Sequence, residues 1–347
     1  MAAAPVLLMH ESSLDHDTRA HPERAERIVA ITTELGTHDW AGYELVGSPP
    51  ASDDALAAVH SEAHVQRIRG LAAAGGGSID ADTVMSAGSF VAAAHAAGGA
   101  IELVDRLLSG AAPTGFSVHR PPGHHATADR AMGFCLFNNV AVAARWALDR
   151  HGLQRVMIVD YDVHHGNGTN DIFSADPRVL FVSVHESPLY PGTGPATDVG
   201  TGAGEGFNVN LPVASGSGDE TFVGMIEAIA VPLAFSFAPQ LVLISAGFDA
   251  HRDDPLATCT VTEDGFAAMA GRLRDAGASL AVPVAGVLEG GYGLDGLARS
   301  LRVSMEALAA PAGSLGGAGA GSAGAWTPTV RGARARVAKR WPALADG

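Results

Sequence analysis

Asp162 and His164 stand two residues apart, just after the apolar run Val156-Met157-Ile158-Val159. In extended backbone, residues i and i+2 project to the same side. A carboxylate and an imidazole at that spacing can grip one metal ion. A third ligand must come from elsewhere, and Asp249, after "LISAGF", is the best candidate. Two carboxylates and one imidazole leave coordination positions open, as a catalytic site requires. Zinc is the first choice, and Fe(II), Co(II) or Mn(II) also suit an oxygen-rich set. The same triplet occurs in ordinary polar turns, so it gains weight only from its company.

That company is a set of further polar groups. His124 and His125 follow "RPPG", where two prolines and a glycine stiffen the loop and can hold two imidazoles at defined angles. Asp160, beside the proposed ligands, can orient an imidazole through its Nδ1–H. Tyr292 sits in "EGGYG", where glycines allow close backbone approach and leave the phenol projecting. A phenol beside a metal can donate to an oxyanion.

These groups need a scaffold. Apolar runs recur at 5–9, 115–118, 155–160, 179–184, 241–247 and 282–288. They do not alternate, which predicts strands buried on both faces of a parallel sheet. Helical patterns lie between them at 88–108, 138–150 and 263–277, the last capped by Thr262 or Asp264 and ended by Gly277. Alternation of this kind indicates an α/β domain with helices on both faces of the sheet. Polar clusters follow five of the strands, and open α/β sheets bind ligands at the carboxyl ends of their strands.

Composition narrows the function. The 347 residues carry a formal charge of −15, which argues against nucleic acid as a ligand. The single lysine, Lys339, lies near the C-terminus, so the body of the fold offers none for a Schiff base or a P-loop. The arginine bias reads as a GC-rich, bacterial genome. Cys135 and Cys259 form no disulfide or metal spacing, and the first residues lack a signal-peptide pattern, so a cytoplasmic setting is expected. The uncharged stretch 228–248 is long enough for a membrane span, but Pro232 and Pro239 interrupt it and "QLVLISAGFD" reads as a strand and turn. No membrane partner is expected. Residues 1–310 read as one catalytic domain. Residues 311–347 read as a Gly/Ala-rich linker and a short basic tail, expected to be solvated.

The chain resembles the histone deacetylase and acetylpolyamine amidohydrolase family from about residue 10 to 308. The resemblance rests on "HDTRAHPERAERI", "VHSEAHVQRI", "RPPGHHA", "GFCLFNNVAVAA", "DYDVHHGNGT", "HESPLYPGTG", "SAGFDAHRDDPLA" and "LEGGYG". It implies the three-layer arginase–deacetylase fold, with a central eight-stranded parallel sheet and helices on both faces. Asp162, His164 and Asp249 match the family's zinc ligands, His124 and His125 its tandem histidines, and Tyr292 its catalytic tyrosine. Asp160 matches the partner of the first histidine. Asn167 stands where many class I members have aspartate, which looks like class II and its bacterial relatives. An amide lacks that charge, so the second imidazole should stay neutral more easily. Phe134, after Gly133, and Tyr190 match the walls of the substrate tunnel. Leu256 matches an apolar gatekeeper, and Asp82 a rim aspartate that holds a peptide backbone. A structural potassium ion is also implied, held by Asp160, Asp162, His164, Ser183 and Val184. His165 receives no role beyond packing.

The reaction this implies is hydrolysis of an acyl amide to a free amine and a carboxylate. The substrate is an acylated lysine peptide or a small acylated amine. Leu256 weakens an acetylpolyamine reading, because the polyamine-selective animal members have glutamate there. An arginase-like ureohydrolase would need a second metal, for which Gly166 supplies no ligand. A non-catalytic binding module would have lost a ligand or the tyrosine, and none is lost. A homo-oligomer is compatible with the sequence.

Overall fold

The computed structural model describes residues 3–314 and 326–345. The strands, in chain order, are β1 (Val6–Met9), β2 (Glu44–Gly47), β3 (Gly76–Ser78), β4 (Val84–Ser86) and β5 (Gly115–Ser117). They continue with β6 (Val156–Asp160), β7 (Val179–Glu186), β8 (Asn208–Val213), β9 (Leu241–Ala246) and β10 (Val284–Leu288). Eight of them form one sheet in the order β2-β1-β5-β10-β9-β6-β7-β8, and every pairing in it is parallel. β3 and β4 form a small antiparallel hairpin apart from it.

The apolar runs form strands because both faces of the sheet are covered. Met157, Val159, Leu180, Val182, Val242 and Ile244 belong to one core, with Ile31, Phe222, Phe266 and Leu297 from the helices packed on that side. Val156, Ile158, Val179, Phe181, Leu241 and Leu243 belong to the opposite core, with Leu103, Val104 and Val140. The alternation along each strand is the period of two that a sheet imposes.

Within the eight-stranded sheet, the two strands that the apolar runs miss are both at its edges. β2 is largely exposed and four residues long. β8 carries Asn208 and Asn210 among its valines and leucine, so its run is broken by amides that hydrogen-bond across to Asn170.

The helices Ser89–Leu108 and Asn139–Arg150 lie within the predicted stretches, and Asn138 caps the second by accepting from Ala141 N–H. Thr262 caps the helix Glu263–Leu280. Gly277 does not end it. The helix runs three residues further and stops at Ala281, which takes the left-handed conformation and returns its N–H to Ala278. Pro232 does not break the apolar stretch either. It lies within the continuous helix Asp219–Phe237, directly after a π-helical turn at Ile226–Ala230 that accommodates its missing N–H. Among the described residues, Asp219–Phe237 is long and apolar enough to cross a membrane by length and composition. Phe222, Met225, Ile226, Ile229 and Leu233 from it are buried in the core.

The basic tail is not solvated throughout. Residues Pro328–Val337 form a helix, capped by Thr327, that buries Val330 and Ala333 against the core. Trp341 follows, with its indole N–H on Gly206 O and its ring against Phe207. Arg331 lies on the exposed side of this helix and Arg334 donates to Ala228 O, so a basic composition hid an apolar face. Linker residues 315–325 lie outside the described residues.

Register sets the functional edge. Asp160 pairs with Ser183 on one side and Ser245 on the other, and Leu288 pairs with Ala246. The carboxyl ends of β6, β9 and β10 are therefore level, β7 runs on to Glu186, and their loops open onto one edge. Val330→Asp should lower unfolding stability by about 2–4 kcal/mol, because it places an unpaired charge in the core. An unaltered urea midpoint would contradict docking of the C-terminal helix.

Candidate functional site

Two loops, after β6 and after β9, bring Asp162, His164 and Asp249 together, with one ligand atom from each within 4.8 Å of the others. His164 Nδ1 lies 3.2 Å from Asp162 Oδ1 and 3.0 Å from Asp249 Oδ2. The backbone fixes the carboxylates. Val163 N–H donates to Asp249, and Gly290 and His164 N–H donate to Asp162. Gly290 is required by close approach, since a Cβ there would lie 2.1 Å from Asp249 Oδ2. Both carboxylates are fully buried. Burial and the charge of Asp162 push Asp249 up to about 7. Burial opposes a charge on His164, but Asp249 and Asp162 outweigh it and push the imidazole up to about 10. Two buried carboxylates converging on one imidazole nitrogen form a donor set that fits a divalent cation.

Behind this centre stand the tandem histidines, with ring centroids 4.0 Å apart. Each meets a different partner through Nδ1: His124 meets Asp160 Oδ2 at 3.0 Å, and His125 meets Asn167 Oδ1 at 2.8 Å. Both acceptors place the proton on Nδ1 and leave Nε2 facing the centre. Their electrostatics diverge. Burial disfavours a charged His124, but Asp162 and Asp160 outweigh it and hold its pKa well above the ordinary value. Burial, followed by the neighbours His124 and His164, holds His125 well below. The two imidazoles are thus pushed in opposite directions.

The remaining predicted residues frame an approach to this centre. Tyr292 is buried, 5.6 Å from the ring of Phe134 in an edge-to-face arrangement. Burial pushes its phenol well above the ordinary value, so it remains a hydrogen-bond donor. Tyr190 lies edge-to-face with His125 at 5.2 Å and is partly exposed. Gly133 and Phe134 both take left-handed backbone, at φ 56° and 70°. A Cβ at Gly133 would press on the His125 ring at 2.4 Å, so only glycine fits. Phe134 N–H donates to Thr83 Oγ1, and Thr83 in turn donates to Asp82, which brings Asp82 to this wall. Leu256 is half-buried, with its N–H on Asp254.

Several supporting groups carried no sequence assignment. Glu289, fully buried, accepts from Gly123 N–H at 2.6 Å, His124 N–H at 3.0 Å and Ser245 Oγ at 2.9 Å. It splints the tandem-histidine loop. Arg27 donates to the carbonyls of Gly291 and Glu289 and places its guanidinium 5.0 Å from the Tyr292 ring. Glu23 holds Arg27 and Arg120 together, with all three side chains fully buried. His165 also gains a place. Its Nδ1 meets Thr193 Oγ1 at 2.8 Å, and its ring packs 4.7 Å from His185, which meets Gly194 O. The two histidines tether the loop that carries Tyr190. The available signals were "EGG" before the tyrosine and "HPERAERI" far upstream, and neither spacing reveals its contacts.

A family model for the histone deacetylase domain matches residues 21–308. The chain is 39% identical over 334 residues to histone deacetylase 14, chloroplastic, of Arabidopsis thaliana, covering 89% of this chain and 77% of that protein. It is 41% identical over 277 residues to a histone deacetylase-like amidohydrolase of Pseudomonas aeruginosa, covering 78% and 71%. A probable deacetylase of Archaeoglobus fulgidus is 40% identical over 295 residues, covering 84% and 82%. The crystal structure of the HDA15 HD domain superposes with a TM-score of 0.89 at 34% identity, covering 99% of this chain and 97% of that one. The architecture is the arginase–deacetylase fold.

Burial opposes the charge on Glu23, but Arg120 and His16 outweigh it and hold this carboxyl well below the usual range. A depressed pKa contributes stability above the ordinary value of about 4.5 and loses it as pH falls below. Glu23→Gln should cost about 3–5 kcal/mol at pH 7, because two buried guanidinium groups lose their partner. The difference from the unaltered protein should shrink at pH 4. Urea midpoints at both pH values check this, and a gap that does not depend on pH would contradict it.

Proposed function

The chain belongs to the histone deacetylase family, and from that footing we propose that it is a zinc-dependent amidohydrolase that removes acyl groups from lysine-like amines. One observation carries the reading: an imidazole and two carboxylates converge beside two tandem histidines, each held at Nδ1 by its own partner, with the buried Tyr292 nearby. Asp162, His164 and Asp249 would hold the ion, which when bound polarises the acyl carbonyl and activates a water. His125 offers Nε2 to the water's proton. His124, braced by Asp160, is placed to protonate the leaving amine. Tyr292 donates to the oxyanion. Phe134 and Tyr190 would flank the aliphatic chain of the substrate, with Gly133 beside them, and Leu256 would close one side. Asp82 would meet the substrate's backbone at the rim.

A potassium site is part of the same proposal. It would draw on Asp160, Asp162, His164, Ser183 and Val184, and the pairing of Asp160 with Ser183 across β6 and β7 supports it. A cytoplasmic setting suits the two free cysteines. A second reading, a small acylated polyamine as substrate, is favoured by the carboxylates of Asp80 and Asp82, which accept from Thr83 N–H and Oγ1 beside the Phe134 wall. The ratio of kcat/KM for an acetyl-lysine peptide over acetylspermidine separates the two.

Hydrolysis of a fluorogenic acetyl-lysine substrate, abolished by a chelator and restored by zinc, tests the reading. Tyr292→Phe should lower kcat by roughly a hundredfold or more with metal retained. His164→Ala should lose metal and activity together. Full activity in the chelated protein would contradict the proposal.

A further inference from the structure

Tyr292 stands among Gly290, Gly291 and Gly293, so its own backbone does little to fix its direction. Fastening must come from outside the loop. Gly290 N–H is held by Asp162, and Gly291 O by Arg27. The tyrosine itself is held by Asp254, a buried carboxylate on the loop after β9. Asp254 Oδ2 accepts from Tyr292 N–H at 2.6 Å and from Gly293 N–H at 3.0 Å. Its Oδ1 accepts from Leu256 N–H at 2.9 Å. Gly293 is also the cap of the helix Leu294–Ala309, where a carboxylate is favoured by the free N–H groups. One side chain therefore fastens two loops, one carrying the phenol and the other carrying Leu256.

We infer that Asp254 is a positioning residue that couples the Tyr292 phenol to the Leu256 wall. One oxygen serves the chemical step and the other serves the approach to it. The inference rests on the amide hydrolysis proposed above. If Asp254 only stapled the fold, its loss would be felt equally whether or not the phenolic hydroxyl is present.

The two oxygens can be separated. Asp254→Ala removes both. Asp254→Asn leaves one oxygen for the paired donors of Tyr292 and Gly293 and sets its NH2 against Leu256 N–H, donor against donor. Steady-state kinetics on an acetyl-lysine peptide would be measured for each variant alone and in a Tyr292→Phe background, with metal content determined alongside. Asp254→Ala should lower kcat by roughly tenfold or more with the tyrosine present, and by less than about threefold in the Tyr292→Phe background. Asp254→Asn should hold kcat within about threefold and raise KM by about threefold or more in both backgrounds. Metal should stay at the stoichiometry of the unaltered protein. Equal kcat losses in the two backgrounds would overturn the inference while leaving the proposed reaction standing. So would an unaltered KM in Asp254→Asn, which serves as the test if Asp254→Ala does not fold. An inactive unaltered protein would overturn both.

Discussion

Asp160, Asp162, Asp249 and Glu289 are all fully buried at the carboxyl edge of one sheet. An isolated buried carboxylate costs several kcal/mol, so four in one cluster require compensation from every neighbour. Asp160 has His124 and the N–H of Asp162. Glu289 has three donors and Asp249 has Val163 N–H. A carboxylate oxygen has two lone-pair directions, and backbone N–H groups fill only part of that capacity on Asp162 and Asp249. A cation between them would complete the balance. The same cluster sets the electrostatics around it: its negative charge raises the pKa of His124, while burial and the neighbouring His124 and His164 lower that of His125.

The loops at this edge are held by one another more than by themselves. Asp162 fixes Gly290, Asp249 fixes Val163, Glu289 fixes the tandem histidines, and Arg27 fixes the tyrosine loop. Each tie crosses between segments distant in sequence. Parallel pairing makes this economical, because it brings strand ends from across the chain to one level. A loop rich in glycine then becomes rigid without intrinsic stiffness, and it leaves room for side chains that a Cβ would block.

Much of this could be read from residue order. The six apolar runs were strands because buried parallel strands need no alternation, and the order of polar clusters after them located the site. β2 and β8 escaped because an exposed edge and a row of buried amides carry no apolar run. Asp162 and His164 were legible from their spacing. Asp254, Glu289 and Arg27 were not, because most of their partners are backbone groups distant in sequence, and backbone groups leave no mark in a sequence. The basic tail misled for a related reason. Its charge is counted along the chain, while its burial depends on which face of a helix Val330 and Ala333 share. His165, next to a ligand, tethers the Tyr190 loop through Thr193, a contact 28 residues away.

The proposed chemistry requires a single ion held by Asp162, His164 and Asp249. Elemental analysis of the purified protein combined with X-ray absorption at the metal edge tests it most directly. It predicts one divalent metal per chain, ligated by one imidazole nitrogen and otherwise by oxygens, with no sulfur. A metal-free but active protein, or a metal with sulfur ligands, would contradict it.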